Sequence, residues 1–193
     1  MYYKILIKIS YHSAAHCVHK KYLQTATKPK NLMLLFGAFD IDNHYEHGKF
    51  LSGPSKIIIH DDWNPNDLRF THDIALIILE EELNYSRFIR PICLISKDME
   101  DNETEGVVVG WGKVQNSTKK YVRKPKKLNI SITSNPACYR NNSEITKIAW
   151  EESFCAGKPG HGICRGDSGG GFFFKITNKF YFKGLVSSGT SLD

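Results

Sequence analysis

Three residues of the chain are of the types that together turn a serine into a nucleophile. His16 follows two alanines, Asp73 stands at the head of an apolar run, and Ser168 lies among glycines. A serine hydroxyl is a weak nucleophile until a base takes its proton, and a histidine can do so near neutral pH. A carboxylate then fixes the tautomer of that histidine and stabilises the imidazolium. Because the three residues are far apart in the sequence, only a folded domain can bring them together.

The glycines around Ser168 suit a nucleophile that stands on a tight turn. Glycine adopts backbone angles closed to other residues and lets a substrate approach the main chain. The backbone N–H groups of Gly166 and Ser168 could then point together at a developing oxyanion. A glycine-rich turn without a catalytic role has the same composition, so the motif gains its weight from His16 and Asp73. The sequence therefore predicts a catalytic triad in the chain order His, Asp, Ser.

Seven short motifs resemble those of the chymotrypsin/trypsin-like serine proteases, and they follow the family order over nearly the whole chain. They are SAAHC at 13–17, DIAL at 73–76, PICL at 91–94, GWG at 110–112, FCAG at 154–157, GDSGG at 166–170 and GLVS at 184–187. The resemblance implies an all-β fold of two six-stranded antiparallel β-barrels with the active site between them. It also implies a serine endopeptidase that works through an acyl-enzyme on protein or peptide substrates, with no metal and no cofactor.

The resemblance assigns roles to four further residues. Gly162 is expected at the base of the primary specificity pocket, where it brings no charge to balance a buried Arg or Lys, so we expect a preference for small or apolar side chains. Ser187 and Gly189 are expected to line the substrate channel, with Ser187 supporting the substrate main chain. Asp167 is expected to pair with the amine that activation cleavage frees, and that pairing shapes the oxyanion hole.

The chain has five cysteines, an odd number for a protein with disulfides. The resemblance implies that Cys138 pairs with Cys155. It implies that Cys17 and Cys164 pair with cysteines outside the chain. It also implies that Cys93 links the protease domain to an upstream regulatory domain. We therefore expect the protease fold to be truncated here at both the N- and the C-terminus.

Apolar patterning indicates the strands that would position these residues. Strands are expected at 2–9, 31–39, 55–60, 73–79, 107–112, 128–133, 172–176 and 179–186, and a short helix within 143–152. An acidic, polar stretch separates the two halves. We expect the first barrel at about 1–98, a linker at about 99–105, and an incomplete second barrel at about 106–193.

Composition and charge narrow the functional classes. The chain has 193 residues, 41% of them hydrophobic and 12% aromatic, which suits a folded domain with a sizeable core. No apolar run approaches the length of a membrane span, so we expect no membrane partner. The net charge of +6 is not joined by a recognisable nucleic-acid module, so we expect no nucleic acid. Five Asn-X-Ser/Thr sequons favour a secreted, extracellular protein.

Several alternatives stay open at this point. The basic segment 119–127 is either an exposed loop or an exosite for an acidic protein or a sulfated glycan. Glu46 and His47 belong either to a solvated turn or to a metal or calcium loop. For the whole chain, the rivals to a protease are a catalytically silent homologue that acts as a binding or regulatory partner, and a basic binding module that acts through 119–127.

Overall fold

The computed structural model describes residues 10–20, 25–96, 99, 104–114, 118, 121–141, 143–148, 151–158 and 160–189, and among these residues strands are far more common than helices. The strands are β1 (Ser10–Ser13), β2 (His19–Lys20), β3 (Thr25–Ala26), β4 (Leu34–Phe36), β5 (Phe50–Ser52), β6 (Pro54–Ile59), β7 (Ala75–Leu79), β8 (Cys93–Leu94), β9 (Glu105–Gly110), β10 (Lys126–Thr133), β11 (Cys155–Ala156), β12 (Gly171–Ile176) and β13 (Lys179–Leu185). The helices are short: α1 (Ala15–Val18), α2 (Asn135–Asn141) and α3 (Ser143–Ile148), with a 3-10 turn at Pro29–Asn31.

The first half is built on a three-stranded antiparallel sheet in the order β1-β7-β6. Strand β7 is central, and its residues Ala75, Ile77 and Leu79 are buried while the two between them are half-buried. A β-branched, apolar run of this kind fits a strand that is covered on both sides. Val18 from α1 packs against Ala75 and Ile77. The helix that carries His16 is therefore fixed to the strand that follows Asp73.

The second half contributes five strands to a six-stranded sheet in the order β11-β10-β9-β12-β13-β8, and β8 from the end of the first half forms one edge. Its core contains Phe172 and Phe174 from β12, Val108 from β9 and Ile130 from β10. The rings of Phe172 and Phe174 meet edge to face, with centroids 5.5 Å apart, and Phe174 is fully buried. This arrangement of aromatic rings stabilises the core beyond the area that it buries. The sheet gives a firm base to the turn of Ser168, which leads directly into β12.

The expected all-β class is confirmed, and most expected strands lie where the patterning put them. The long apolar stretch at 31–39 forms only the three residues of β4, because a turn follows at Gly37, whose φ is +66°. The sheets are open within the described residues. One pair of strands is parallel: β8, at the end of the first half, runs beside β13 and in the same direction as β13. The strand expected at 2–9 and most of the linker at 99–105 lie outside the described residues, so the division into barrels stays a prediction.

A contact between two loops joins the halves on one side of the molecule. The guanidinium of Arg123 donates to the carboxylate of Asp40 at 2.6 and 3.1 Å, and its backbone oxygen accepts the N–H of Ile41 at 3.0 Å. The indole N–H of Trp111 donates to the backbone oxygen of Phe39 at 3.3 Å. Part of the basic segment 119–127 therefore holds the two halves together.

Within the described part of the chain, none of the helices has the length and apolar character needed to cross a bilayer.

Candidate active site

His16 and Asp73 are joined by two hydrogen bonds. The backbone N–H of His16 donates to Oδ1 of Asp73 at 2.8 Å, and its ring Nδ1 meets Oδ2 at 2.7 Å. Ala14 and Ala15, both fully buried, leave room for the short helix that carries the histidine. The carboxylate thus orients the ring as an acid–base group requires, with Nε2 left for other partners.

A third hydrogen bond reaches Asp73 from the second half of the molecule. The hydroxyl of Ser187 donates to Oδ2 of Asp73 at 2.6 Å. The Asp73 side chain is only 2% exposed. Burial alone would raise the pKa of this carboxyl group, but the hydrogen bonds from His16 and Ser187 outweigh burial and lower it. The expected role of Ser187 beside the substrate main chain did not include this contact, because a single serine in a sequence gives no sign of which carboxylate it will meet.

The environment of His16 favours its protonated form. The hydrogen bond to Asp73 raises the pKa of His16 most, and a contact between Nε2 and the thiol of Cys17 at 3.6 Å raises it further. The ring of Phe70 packs edge-on against the imidazole, with centroids 5.6 Å apart. The ring is therefore held on three sides: by a carboxylate, a thiol and an aromatic edge.

Ser168 lies exposed on a turn whose two glycine neighbours, Gly166 and Gly169, have φ of +98° and +76°. A Cβ on Gly169 would lie 2.7 Å from Oγ of Ser13 and 3.3 Å from the backbone nitrogen of Ala14. The turn therefore packs directly against the segment that leads into His16, and only glycine fits there. Within the described residues no hydrogen bond joins Oγ of Ser168 to His16, whose Nε2 faces Cys17 instead.

Asp167 is held by backbone N–H groups. Its Oδ1 accepts the N–H of Gly112 at 2.9 Å, and its Oδ2 accepts the N–H of Cys164 at 3.0 Å. A Cβ at Gly110 or Gly112 would overlap the carboxylate, which explains why the GWG motif has a glycine at each end. Two main-chain donors therefore hold this carboxylate in place.

The backbone N–H groups expected to form the oxyanion hole make no hydrogen bonds within the described residues. The N–H of Gly169 donates to the backbone oxygen of Val186 at 2.8 Å. In contrast, those of Gly166 and Ser168 make no hydrogen bond to any described residue. Both donors are therefore available to a substrate oxygen.

The three residues expected to bind substrate line one cavity of about 770 Å³. Gly162, Ser187 and Gly189 all lie on its wall together with Asp73. A Cβ at Gly162 would meet no atom within 4 Å, so this position opens onto free space. The structure thus brings the expected substrate-binding residues to the same cleft as the expected catalytic carboxylate.

The cysteines divide into one pair and three free thiols. Cys138 and Cys155 form a disulfide, with their Cα atoms 6.3 Å apart, which ties α2 to β11. Cys17 and Cys93 are exposed as free thiols, and Cys164 is half-buried.

The loop that contains Glu46 and His47 holds an internal cation. The Glu46 carboxylate accepts the N–H groups of Phe39 and Asp40, and these bonds lower its pKa. Nζ of Lys49 donates to the backbone oxygens of Asp40 and Asn43 at 2.5 and 2.6 Å and lies 3.6 Å from the Glu46 carboxylate. An ammonium group therefore lies among the oxygens of the loop. Residues 42–45 and 47 are exposed on turns, as the solvated-turn alternative expects.

Comparison with known proteins places this arrangement in a family. The family model described as Trypsin matches residues 10–192. The chain is 27% identical to Serine protease gd of Drosophila melanogaster, with 91% of this chain and 38% of that protein covered. It is 31% identical to the CLIP domain-containing serine protease HP8 of Bombyx mori, covering 93% and 51%. It is 34% identical to the Complement C1s subcomponent of Rattus norvegicus, covering 69% and 22%.

The chain spans about half or less of the length of these relatives. The family match includes both the segment of His16 and Asp73 and the glycine-rich turn of Ser168. The strand-rich fold that joins these segments agrees with that match. The chain belongs to the trypsin family of serine proteases.

Proposed function

We propose that the chain is the peptidase domain of a serine endopeptidase that hydrolyses peptide bonds through an acyl-enzyme. The observation that carries this proposal is the doubly hydrogen-bonded pair of His16 and Asp73, with its ring and backbone contacts of 2.7 and 2.8 Å. A buried carboxylate that takes both the ring and the backbone N–H of one histidine fixes the position and the tautomer of that ring. This is what a general base needs before it can accept a proton from serine.

The proposed reaction uses each of these groups in turn. Oγ of Ser168 attacks the substrate carbonyl carbon and passes its proton to Nε2 of His16. The N–H groups of Gly166 and Ser168 donate to the oxyanion. His16 then gives the proton to the leaving amine, and a water repeats the sequence to release the acyl group. For the first step Nε2 must exchange its contact with Cys17 for one with Ser168, and hydrogen bonds of this kind often tighten only when substrate is bound.

Asp167 is the proposed site of activation. Its present partners are two main-chain N–H groups, from Gly112 and Cys164. An amine freed by cleavage would offer a charged partner in their place, and charge-assisted hydrogen bonds are the stronger kind. Movement of this carboxylate carries with it the adjoining N–H groups of Gly166 and Ser168. We therefore propose that activation acts on the oxyanion hole through Asp167.

The proposed substrates are proteins or peptides with a small or apolar residue at the cleavage site. Gly162 supports this because it adds neither charge nor bulk to the cavity wall. We further propose that the domain acts outside the cell as part of a longer protein in a proteolytic cascade. The exposed thiol of Cys93 supports the tie to a regulatory domain, and the similarity to a CLIP domain-containing protease and a complement subcomponent supports the cascade. An acidic partner at 119–127 would meet the exposed Lys124, Lys126 and Lys127.

The decisive experiment is covalent labelling of the activated full-length protein with a serine-reactive phosphonate. We expect the wild type to be labelled and Ser168→Ala to be neither labelled nor active on peptides. Ser188→Ala, which removes another exposed hydroxyl of the second half, is the matched control and should retain labelling. Peptide cleavage at the wild-type rate by Ser168→Ala would overturn the proposal.

One observation favours the second candidate, a catalytically silent homologue that acts as a binding or regulatory partner. Nε2 of His16 contacts the thiol of Cys17 and makes no hydrogen bond to Ser168 within the described residues. If this contact persists in the complete protein, the serine has no base. The labelling experiment separates the two candidates, because a silent homologue stays unlabelled even after activation cleavage.

A further inference from the structure

A second group of possible metal ligands lies beside the cavity, and two of its three members line the cavity wall. It consists of His60, Asp62 and His72. One ring nitrogen of each histidine and one carboxylate oxygen of Asp62 lie within 4.8 Å of one another. The two imidazole rings are stacked with centroids 4.6 Å apart and planes at 23°. In the described part of the chain this is the only trio of such side chains at this spacing, and we propose that it binds Zn²⁺.

The donors match the coordination chemistry of zinc. Zinc in proteins takes imidazole nitrogens and carboxylate oxygens at about 2.0–2.2 Å, which in a tetrahedron places the donors roughly 3.4 Å apart. The present spacing therefore needs a closing movement of about 1.4 Å at most. The side chains of His60 and Asp62 are 41% and 74% exposed, so both have room to move. Calcium and magnesium prefer sites made wholly of oxygen, which two imidazoles do not provide.

The lone pair on Nδ1 of His60 already points toward Asp62. Its Nδ1 accepts the backbone N–H of Asp62 at 3.2 Å and lies 3.9 Å from the carboxylate of the same residue. A nitrogen that accepts a hydrogen bond has its lone pair on that side, as a metal ligand requires. Zinc would replace the N–H as the partner of this nitrogen and draw in the carboxylate.

The third ligand is held in an unusual backbone conformation by its surroundings. His72 has φ of +57°, which is uncommon for a residue with a side chain. The loop before it is fixed by Asp67, whose carboxylate accepts the N–H of Arg69 at 2.9 Å and the hydroxyl of Thr71 at 2.8 Å. The backbone oxygen of Ile74 accepts the N–H of His60 at 3.2 Å and so ties the two ligand segments together. Such conformations persist where the surrounding structure fixes them, often at functional positions.

The site adjoins the proposed catalytic carboxylate. His72 directly precedes Asp73, and His60, His72 and Asp73 all line the same cavity. A bound zinc would occupy the rim of the cleft and fix the segment that delivers Asp73. We therefore expect zinc to slow peptide hydrolysis. That consequence rests on the proposed function, whereas zinc binding itself does not.

The test measures binding in Ser168→Ala, so that the result does not depend on hydrolysis. We expect isothermal titration to give one equivalent of Zn²⁺, and Co²⁺ to give the visible absorption of a tetrahedral site. His60→Ala, and separately His72→Asn, should each weaken the binding of zinc at least tenfold. Asparagine is chosen at 72 because it tolerates positive φ. His44→Ala, which removes an exposed histidine elsewhere, should leave the binding unchanged.

Two results would overturn the site. One is the absence of saturable zinc or cobalt binding, and the other is zinc binding that His60→Ala and His72→Asn leave intact. Because His60 is exposed, its alanine variant is expected to fold, and circular dichroism checks this for both variants. In the active protein, zinc should reduce the labelling of Ser168, and His60→Ala should abolish that reduction.

Discussion

The carboxylate of Asp73 is the group on which the proposed chemistry of the site depends. It is almost fully buried, yet it accepts hydrogen bonds from the ring and backbone of His16 and from the hydroxyl of Ser187. A buried charge without such partners would be strongly disfavoured. The three donors keep the carboxylate ionised, and the ionised carboxylate in turn raises the pKa of His16.

This coupling predicts how His16 titrates. In Asp73→Asn the neutral amide cannot stabilise the imidazolium, so the pKa of His16 should fall toward its ordinary value of about 6.5. Because the pKa is raised in the parent, the neutral base forms only at higher pH there than in the variant. The measurement is the NMR titration of the His16 ring in the Ser168→Ala background, with chelator present to keep metals away.

Ser187→Ala is the graded control for that titration. It keeps the carboxylate and removes only one donor to it, so it should leave the pKa of His16 well above 6.5. If Asp73→Asn left the titration of His16 where it is in the parent, the carboxylate would not be the cause of the raised pKa.

At the scale of single residues, the types of His16, Asp73 and Ser168 predict a triad. Within the described residues the structure joins His16 to Asp73 but not to Ser168, so the complete triad stays a prediction. The contact of Ser187 with Asp73 could not be predicted. It joins two residues from different halves, and its existence depends on how those halves dock. The trio of His60, Asp62 and His72 was not predicted either. The loop conformation that stacks the two rings cannot be inferred from the sequence separation of the three residues.

At the scale of elements, the loop between β4 and β5 takes its shape from one ammonium group. Lys49 donates to two backbone oxygens and lies near Glu46, and its side chain is only 11% exposed. Carbonyl oxygens turned inward in this way need a cation or a donor. The sequence did not predict this role of Lys49, because a lysine three residues after a glutamate is typical of an ordinary surface pair.

Lys49→Met should destabilise the fold. Methionine has similar length but cannot donate, so two backbone oxygens lose their partner at a cost of about 1–2 kcal/mol. We expect a lower midpoint of denaturant unfolding with an unchanged slope. Lys56→Met, at an exposed lysine of β6, is the control and should leave the midpoint nearly unchanged. Equal midpoints for the two variants would show that the ammonium group does not organise the loop.

Apolar patterning predicted the strands well where burial decides the structure. Residues of β7 and β12 follow the expected runs because each run packs against a core. It failed at 31–39, where the positive φ of Gly37 turns the chain after β4. The parallel pairing of β8 with β13 was also missed, because a two-residue strand carries too few side chains to form a pattern.

At the scale of the whole molecule, several sets of contacts hold the halves together. One is the ion pair of Arg123 with Asp40 at the loops, and another is formed by Asp73, Ser187 and the turn of Ser168 at the cleft. The first set lies at the surface, since the side chain of Arg123 is 61% exposed. Surface ion pairs contribute little to stability and are screened by salt.

Arg123→Ala should therefore loosen the loop contact without unfolding the protein. We expect the amide of Ile41, which donates to the backbone oxygen of residue 123, to exchange hydrogen faster, while the unfolding midpoint changes little. High salt should speed exchange at Ile41 in the wild type and have little further effect in the variant. Arg87→Ala, at an exposed arginine of the first half, serves as control, and exchange at Ile41 that matched between the two variants would contradict this role.

The hydrogen bond from the hydroxyl of Ser187 has a consequence for the protein during its synthesis and folding. This group follows the last described strand, β13, whereas the carboxylate that it meets belongs to the first half. Under the proposed function, the base is fully oriented only after both halves have formed and met. A chain still emerging from the ribosome, or one half unfolded, would lack a working nucleophile. Folding itself would then protect neighbouring chains from digestion during synthesis.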